Sequence, residues 1–464
     1  MRRLRGPVRC AAAVVALLLT GACTRSSSEV EVSAGGAGAP QAARPATETT
    51  EANAQSRLDN GSFGELEEVC QDGDPSGSPD TGVTGTEINV GTVSDKGSTI
   101  RPGLTKEMWD TAVAFTEWCN EHGGINGRQL KLTDLDAKLM EYPSAMTKGC
   151  QTDFAMVGGG AALDNGDGGA REKCGLVNVG GYAVSATART ASLQVFPLPG
   201  AVDKAAGGPF RVLQQIDPEA LQHVGFMTGD LQSIVIAKDQ EREYIEKKLG
   251  GRVVYDQRFA VTGESNWRPF VQTLKSDGVQ VLELTGEPDN LIGLQKAMKT
   301  EGWNPKYTLQ QANFYDATLV AEGGATAKDT WVRSVFFPVE MSEDNPATAD
   351  YLELMERYNP DGRLALLGQQ GLSAWLLFAR AAKACGNGLT RDCLLGEAKK
   401  VTEWTGGGLH AATNPGASRG SPCFLSLELT DDGFVYDREM TAPTDGLYNC
   451  DPENVATVKS AADS

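Results

Sequence analysis

Residues 103–136 read GLTKEMWDTAVAFTEWCNEHGGINGRQLKLTDLD, and this stretch decides the fold. Leu104, Met108, Ala112, Phe115 and Cys119 recur at helical spacing and make one apolar stripe. Gly123 and Gly124 follow at once, and glycine supplies the left-handed conformation that ends helices. QLKLTDLD, 129–136, then reads as a strand. Working outward, INVGTV (88–93) is a short apolar run read as a buried strand, and the polar loop SDKGSTIRPG (94–103) links it to the helix. Downstream come a helix over 144–152, the strand DFAMVGG (153–159), a glycine-rich loop and the strand LVNVGG (176–181). Such alternation predicts an α/β fold with a parallel sheet covered by helices on both faces.

A second series begins after PLPGAVD, 197–203. HVGFMT (223–228), RVVYDQRF (252–259), VQVLELTG (279–286), KYTLQQ (306–311) and WVRSVFF (331–337) read as strands. Helical segments over 233–249, 267–277 and 289–301 separate them, and two more, near 347–359 and 371–384, rejoin one lobe. Two α/β series in tandem predict two doubly wound lobes.

The whole chain has 464 residues and a net charge of −19, so its surface repels phosphate backbones and argues against nucleic-acid binding. The only sustained apolar run, CAAAVVALLL at 10–19, is too short to span a bilayer and follows the basic segment MRRLRGPVR. LTGAC, 19–23, resembles a bacterial lipobox, which implies cleavage after residue 22 and lipid on Cys23. An ordinary secretory signal is the alternative, and either exports the protein. From residue 24 to about 80 the composition is Ser, Ala, Gly, Thr, Glu and Pro, which buries too little apolar surface to fold. Residues 23–85 are therefore expected to be a flexible, lipid-anchored linker.

Eight cysteines remain beyond Cys10 and Cys23, an even number that in an exported protein reads as disulfides. The loop CGNGLTRDC favours Cys385 with Cys393. Cys150 with Cys174 and Cys423 with Cys450 come next, leaving Cys70 with Cys119. With no CxxC pair and three scattered histidines, a zinc site has little support, and no metal or other cofactor is expected.

INVGTV, the run through GGINGR, DFAMVGGG, VGGYAVSATA and NWRPFVQTLKSDGVQVLEL together resemble the type I periplasmic solute-binding proteins, the branched-chain amino-acid binding family of ABC importers. The resemblance covers roughly 86–440. It implies two lobes joined by three crossovers, near 198–203, 337–338 and 414–421, closing on a ligand like a clamp. The lobes would be 86–203 plus 338–418 and 204–337 plus 419–464. It also implies a monomer on the outer side of the cell membrane, anchored by lipid, that hands a small polar solute such as an amino acid, amide or organic acid to an ABC permease. A ligand sensor on the same fold, coupled to a membrane signalling partner, is the alternative. In neither reading is the protein an enzyme.

Ligands of open α/β sheets sit outside the carboxyl ends of the strands, where free N–H groups favour an anionic group. The loops at 158–162 and 182–185 occupy such places, and contacts are expected from Gly160, Ala161 and Ser185. Family members that bind amino acids usually offer hydroxyls in both loops, whereas GGGAALD offers none. From the second lobe, loop position selects Gln232, Glu287, Asn313 and Tyr315, with Glu287 facing a ligand amine because a buried lone carboxylate is costly. GASRG (416–420) matches G-x-S-x-G, but turn-rich flanks deny it the strand and helix a nucleophile needs. VGGGAALDNGDGG (157–169) lacks the spacing and lysine of phosphate loops. DGDPSG (72–77) has Val83 where a calcium loop needs glutamate.

Overall fold

The computed structural model describes residues 56–166, 169–323, 326–327, 329–444 and 446–459. The signal segment and Cys23 lie outside the described residues.

The first sheet contains β1 (Glu87–Ser94), β2 (Gln129–Asp136), β3 (Ala155–Val157), β4 (Val177–Val179) and β5 (Gln194–Val195), in the order β2-β1-β3-β4-β5. All its pairs are parallel, and β1 runs in full register with β2 from Glu87 opposite Gln129 to Ser94 opposite Asp136. Helices α1 (Lys106–Glu121), α2 (Tyr142–Thr152), α3 (Ala170–Lys173) and α4 (Ala186–Thr190) connect its strands. Strand periodicity divides the side chains between two cores. Val90, Val157 and Val179 join the cluster around Phe115 of α1, while Val93, Met156 and Leu176 meet Met146 of α2.

The second series follows the same rule. After β6 (Lys204–Ala206) and α5 (Gly208–Ile216) come β7 (Val224–Gly229), α6 (Gln232–Tyr244), β8 (Val253–Phe259), α7 (Arg268–Ser276), β9 (Val281–Thr285), α8 (Pro288–Thr300), β10 (Tyr307–Gln310) and β11 (Thr330–Ser334). The chain then returns to the first lobe as α9 (Pro346–Tyr358), α10 (Leu366–Cys385) and α11 (Arg391–Lys399). Trp375 of α10 stacks on Phe115 of α1 at 5.1 Å between ring centroids. Finally β12 (Leu425–Thr430) and β13 (Gly433–Asp437) extend the second sheet, whose order is β13-β12-β11-β10-β9-β7-β8. Both added strands are antiparallel, and Gly433, at φ +110°, closes the TDDG hairpin between them. The last strand, β14 (Val455–Thr457), pairs antiparallel with β6. The architecture is thus two wound α/β lobes, crossed between β5 and β6, between β11 and α9, and between α11 and β12.

The turn GGINGR shows why the opening stretch is so informative. Gly123, Gly124, Asn126 and Gly127 all have positive φ, and a Cβ on Gly124 would lie 2.0 Å from the Arg128 carbonyl oxygen. Arg128 is buried and donates to the carbonyls of Thr84 (2.9 Å), Ser76 (2.9 Å) and Gly386 (3.2 Å).

One expectation is overturned here. Residues 56–85 are not linker but part of the first lobe. Leu58 and Phe63 are fully buried, Trp118 Nε1 donates to Leu58 O (3.0 Å), and the Gly64 amide donates to Asp350 (2.7 Å). Low apolar content misled the reading, because a disulfide from Cys70 to Cys119 and backbone bonds to the GGINGR turn hold what hydrophobic burial alone would not. The other three disulfides join Cys150 to Cys174, Cys385 to Cys393 and Cys423 to Cys450.

Candidate functional site

The loop after β3 is shaped by close contacts. Gly158 has φ +71°, and a Cβ there would lie 2.4 Å from Trp375 Nε1. On Gly160 a Cβ would lie 2.2 Å from the ring of Tyr182, so the glycine-rich loop makes room for an aromatic lid and the missing hydroxyls have no space to occupy. Ala161 is buried beside it.

The backbone amides of these loops were expected to receive a ligand's anionic group. Side chains of the protein take three of them, those of Ala162, Val184 and Ser185, while Gly158 and Gly160 donate to backbone carbonyls. Asp95, just past β1, accepts from the amides of Ala162 (2.7 Å) and Leu139 (2.7 Å). Asp164 accepts from Val184 (2.7 Å) and Ser185 (2.8 Å). Ser185 Oγ in turn accepts from Ala188 N (3.1 Å) as the cap of α4, so it is not offered to a ligand as expected. Burial pushes the Asp95 carboxyl up, opposed by its two backbone donors.

Charged groups meet where the loop after β1 faces the second lobe. A cavity of about 250 Å³ is lined there by Arg101 from the first lobe, Glu287, Asp289 and Thr318 from the second, and Arg363 from the turn between α9 and α10. Arg101 reaches Asp289 at 3.3 Å. Arg363 is held on α1 through its amide, which donates to Asp110 (2.8 Å), and its guanidinium pairs with Asp316 and lies 3.7 Å from Glu107. Both pairs with second-lobe acids cross the interface. Glu107 is buried, its Oε2 makes no hydrogen bond, and desolvation pushes its carboxyl up to about 7. Desolvation likewise raises Glu287 to about 7, countered by Arg101 and Arg363. Two guanidiniums beside two buried carboxyls can bind a molecule carrying both an acid and an amine, whose ammonium favours the ionised carboxylate.

Of the expected residues, Glu287 lines this cavity, as the cap of α8, with its amide donating to Asn290 Oδ1 (3.1 Å). Asn313 is half-buried and donates to Gly286 O (2.9 Å). Tyr315 differs from expectation. It is buried, its hydroxyl bonds the Glu340 carboxylate and accepts from Val339 N (2.7 Å), and it thereby fastens the second crossover. Gln232 opens α6, and its side chain lies outside the described residues. Sequence reading missed Arg101, Glu107, Asp316 and Arg363. The strand-end rule that selected the other loops applies equally to Arg101, seven residues past the end of β1. Arg363 carries no local signal, because only the return of α9 and α10 brings it to the cleft.

The groups for nucleophilic chemistry do not assemble. Ser418 sits exposed in a tight turn closed between Asn414 and Arg419, away from any strand-to-helix junction. Ser373 and His410 do meet, at 2.8 Å, but both are buried. Trp404 Nε1 donates to Ser373 Oγ (2.9 Å), His410 Nδ1 faces Ala411 O (2.9 Å), and burial depresses the imidazole to about 4. That chain is a satisfied core network. Among the described residues no group of three or more His, Cys, Asp or Glu side chains could hold a metal ion.

Two α/β sheets, each wound by helices, three crossings between them and a charged cavity at their junction define a two-lobed clamp. Residues 222–433 match the family model of the periplasmic binding proteins, and the described residues share the fold of type I periplasmic binding proteins. A fatty acid ABC transporter substrate-binding protein from Thermomonospora curvata superposes with a TM-score of 0.68 at 15% identity, over 83% of this chain and 97% of that one. A leucine-binding protein from Thermotoga maritima gives 0.63 at 13%, over 75% and 97%. A branched-chain amino acid transporter substrate-binding protein from Streptococcus pneumoniae, solved with isoleucine, gives 0.60 at 14%, over 76% and 100%. No curated protein sequence matches.

Proposed function

We propose that the protein is the solute receptor of an ABC importer and captures a small molecule bearing a carboxylate and an amine between its lobes. The observation that carries this reading is the inter-lobe cavity, with Arg101 and Arg363 for the acid and Glu287, backed by Glu107, for the amine. Its size suits a single amino acid or a related amide, and the isoleucine of the Streptococcus relative belongs to that class. Gly160, Ala161 and Asn313 are not among the residues that line this cavity. The clamp divides into 86–203 with 338–418, joined by 56–85, and 204–337 with 419–464. A ligand touching both halves favours the state in which they meet. A thermal-shift screen of amino acids and amides, followed by calorimetry, tests the site. Glu287→Gln is expected to weaken the best hit by about tenfold or more, the loss of one charge-assisted contact. Equal affinity in that variant would remove Glu287 from the site.

Lipidation at Cys23 completes the reading, since a lipid anchor and polar leash would hold the receptor beside its permease. Cys23→Ala should shift the protein from the membrane fraction to the medium. An unlipidated mature N-terminus in the wild type would exclude the anchor.

A further inference from the structure

A second cavity, of about 1020 Å³, shares no lining residue with the first. All three crossing segments contribute to its wall, through Leu198 and Pro199, through Val335, and through Thr413 and Pro422. Ala237 of α6 adds to the apolar lining. Into this setting come Arg189 from the first lobe, Arg333 from the second, and Arg419 from the third crossing. None has a carboxylate at ion-pair distance among the described residues, in a chain with 61 acidic and 42 basic residues. Arg189 is half-buried, donates only to the carbonyl of Ala183 (3.3 Å) and to Gln240 Oε1 (3.3 Å), and is held below the usual guanidinium range by burial. Arg333 bonds the Ala206 carbonyl.

The acids nearby are otherwise engaged or solvated. Glu241 accepts from Gln311 Nε2 (3.0 Å), Asp203 pairs with Lys204 (3.4 Å), and Glu403 is exposed. Asp164 attracts Arg189 from beyond ion-pair distance, but its oxygens are taken by the amides of Val184 and Ser185, so the half-buried guanidinium is only partly compensated and an incoming anion lowers the remaining cost.

We propose that this cavity binds a monocarboxylate with an extended apolar body, its acid group received by Arg189 and its chain laid along the apolar wall where the crossings meet. The Arg189–Gln240 bond spans α4 of one lobe and α6 of the other, so an occupant there touches the joint about which the lobes turn. Occupancy of this cavity and of the charged cleft is thereby coupled, and the coupling is reciprocal.

Calorimetric titration of the full chain with decanoate, and with decanol as the uncharged counterpart, tests the site. Saturable binding of one decanoate is expected, at least about tenfold weaker for decanol and for Arg189→Gln, and unchanged for Glu287→Gln. Ala237→Phe, which narrows the apolar wall without altering the charge of the cavity, should also weaken binding, and covers the case in which Arg189→Gln fails to fold. No saturable binding, equal affinity in Arg189→Gln, or a loss confined to Glu287→Gln would overturn the proposal. None of those outcomes bears on the amino-acid titration of the cleft.

Discussion

At the scale of the residue, Glu107 and Glu287 tie the cleft to pH. Each carboxyl is raised from 4.5 to about 7 in the folded protein, first by desolvation. Between those values the folded state holds protons that the unfolded chain has released, so stability is full below pH 4.5 and falls as pH rises through 7. For Glu107, the more deeply buried, the shift corresponds to about 3 kcal/mol at most. A melting series from pH 4.5 to 8 should therefore decline toward the alkaline end, and Glu107→Gln should flatten it. An unchanged slope in that variant would mean that other groups carry the dependence. The same residues show what sequence could convey. Glu287 was legible because it directly follows a strand-like run, whereas Glu107 looks like any acid in the first turn of a helix. Its partner Arg363 lies 256 positions away in the chain and meets it only through tertiary packing. Ser185 and Tyr315 were named for their hydroxyls and loop positions, and nothing local announced that a cap and a crossover strut would claim those hydroxyls.

At the scale of the element, strands and helices of both lobes stood out wherever an apolar run alternated with a helical stripe. The strand over 129–136 has the bounds its pattern suggests. The hairpin of β12 and β13 did not stand out, because neither strand extends the βα rhythm and both lie antiparallel to the rest. The segment 56–85 escaped for a different reason, since its few apolar residues, Leu58, Phe63, Val69 and Val83, follow no helical or strand period yet all enter the main core. The Cys70–Cys119 disulfide closes 49 residues, against 8 for Cys385–Cys393. Chain entropy then assigns it about 4 kcal/mol, compared with about 2.5 kcal/mol for the shorter loop. Cys70→Ser with Cys119→Ser should lower unfolding stability more than Cys385→Ser with Cys393→Ser, and should render 56–85 the first site of limited proteolysis. Equal losses in the two double variants would show that hydrogen bonds, including those of Arg128 to Ser76 and Thr84, hold the segment without the bond.

At the scale of the whole molecule, the lobes are fastened by unlike means at their two regions of contact. At the crossings the ties are a neutral acceptor for Arg189 and bonds such as Gln240 Nε2 to Val202 O (2.9 Å). At the charged cavity they are the ion pairs Arg101–Asp289 and Arg363–Asp316. Asp289 is mostly exposed, so the first pair contributes little by itself and less as salt accumulates. Scattering in dilute buffer and at 1 M salt, without ligand, should show a larger radius of gyration in the salt, with ligand restoring the compact value. A radius insensitive to salt would place the holding energy elsewhere. A latch made of exposed charges would make the resting gap between the lobes a function of ionic strength before any molecule enters it.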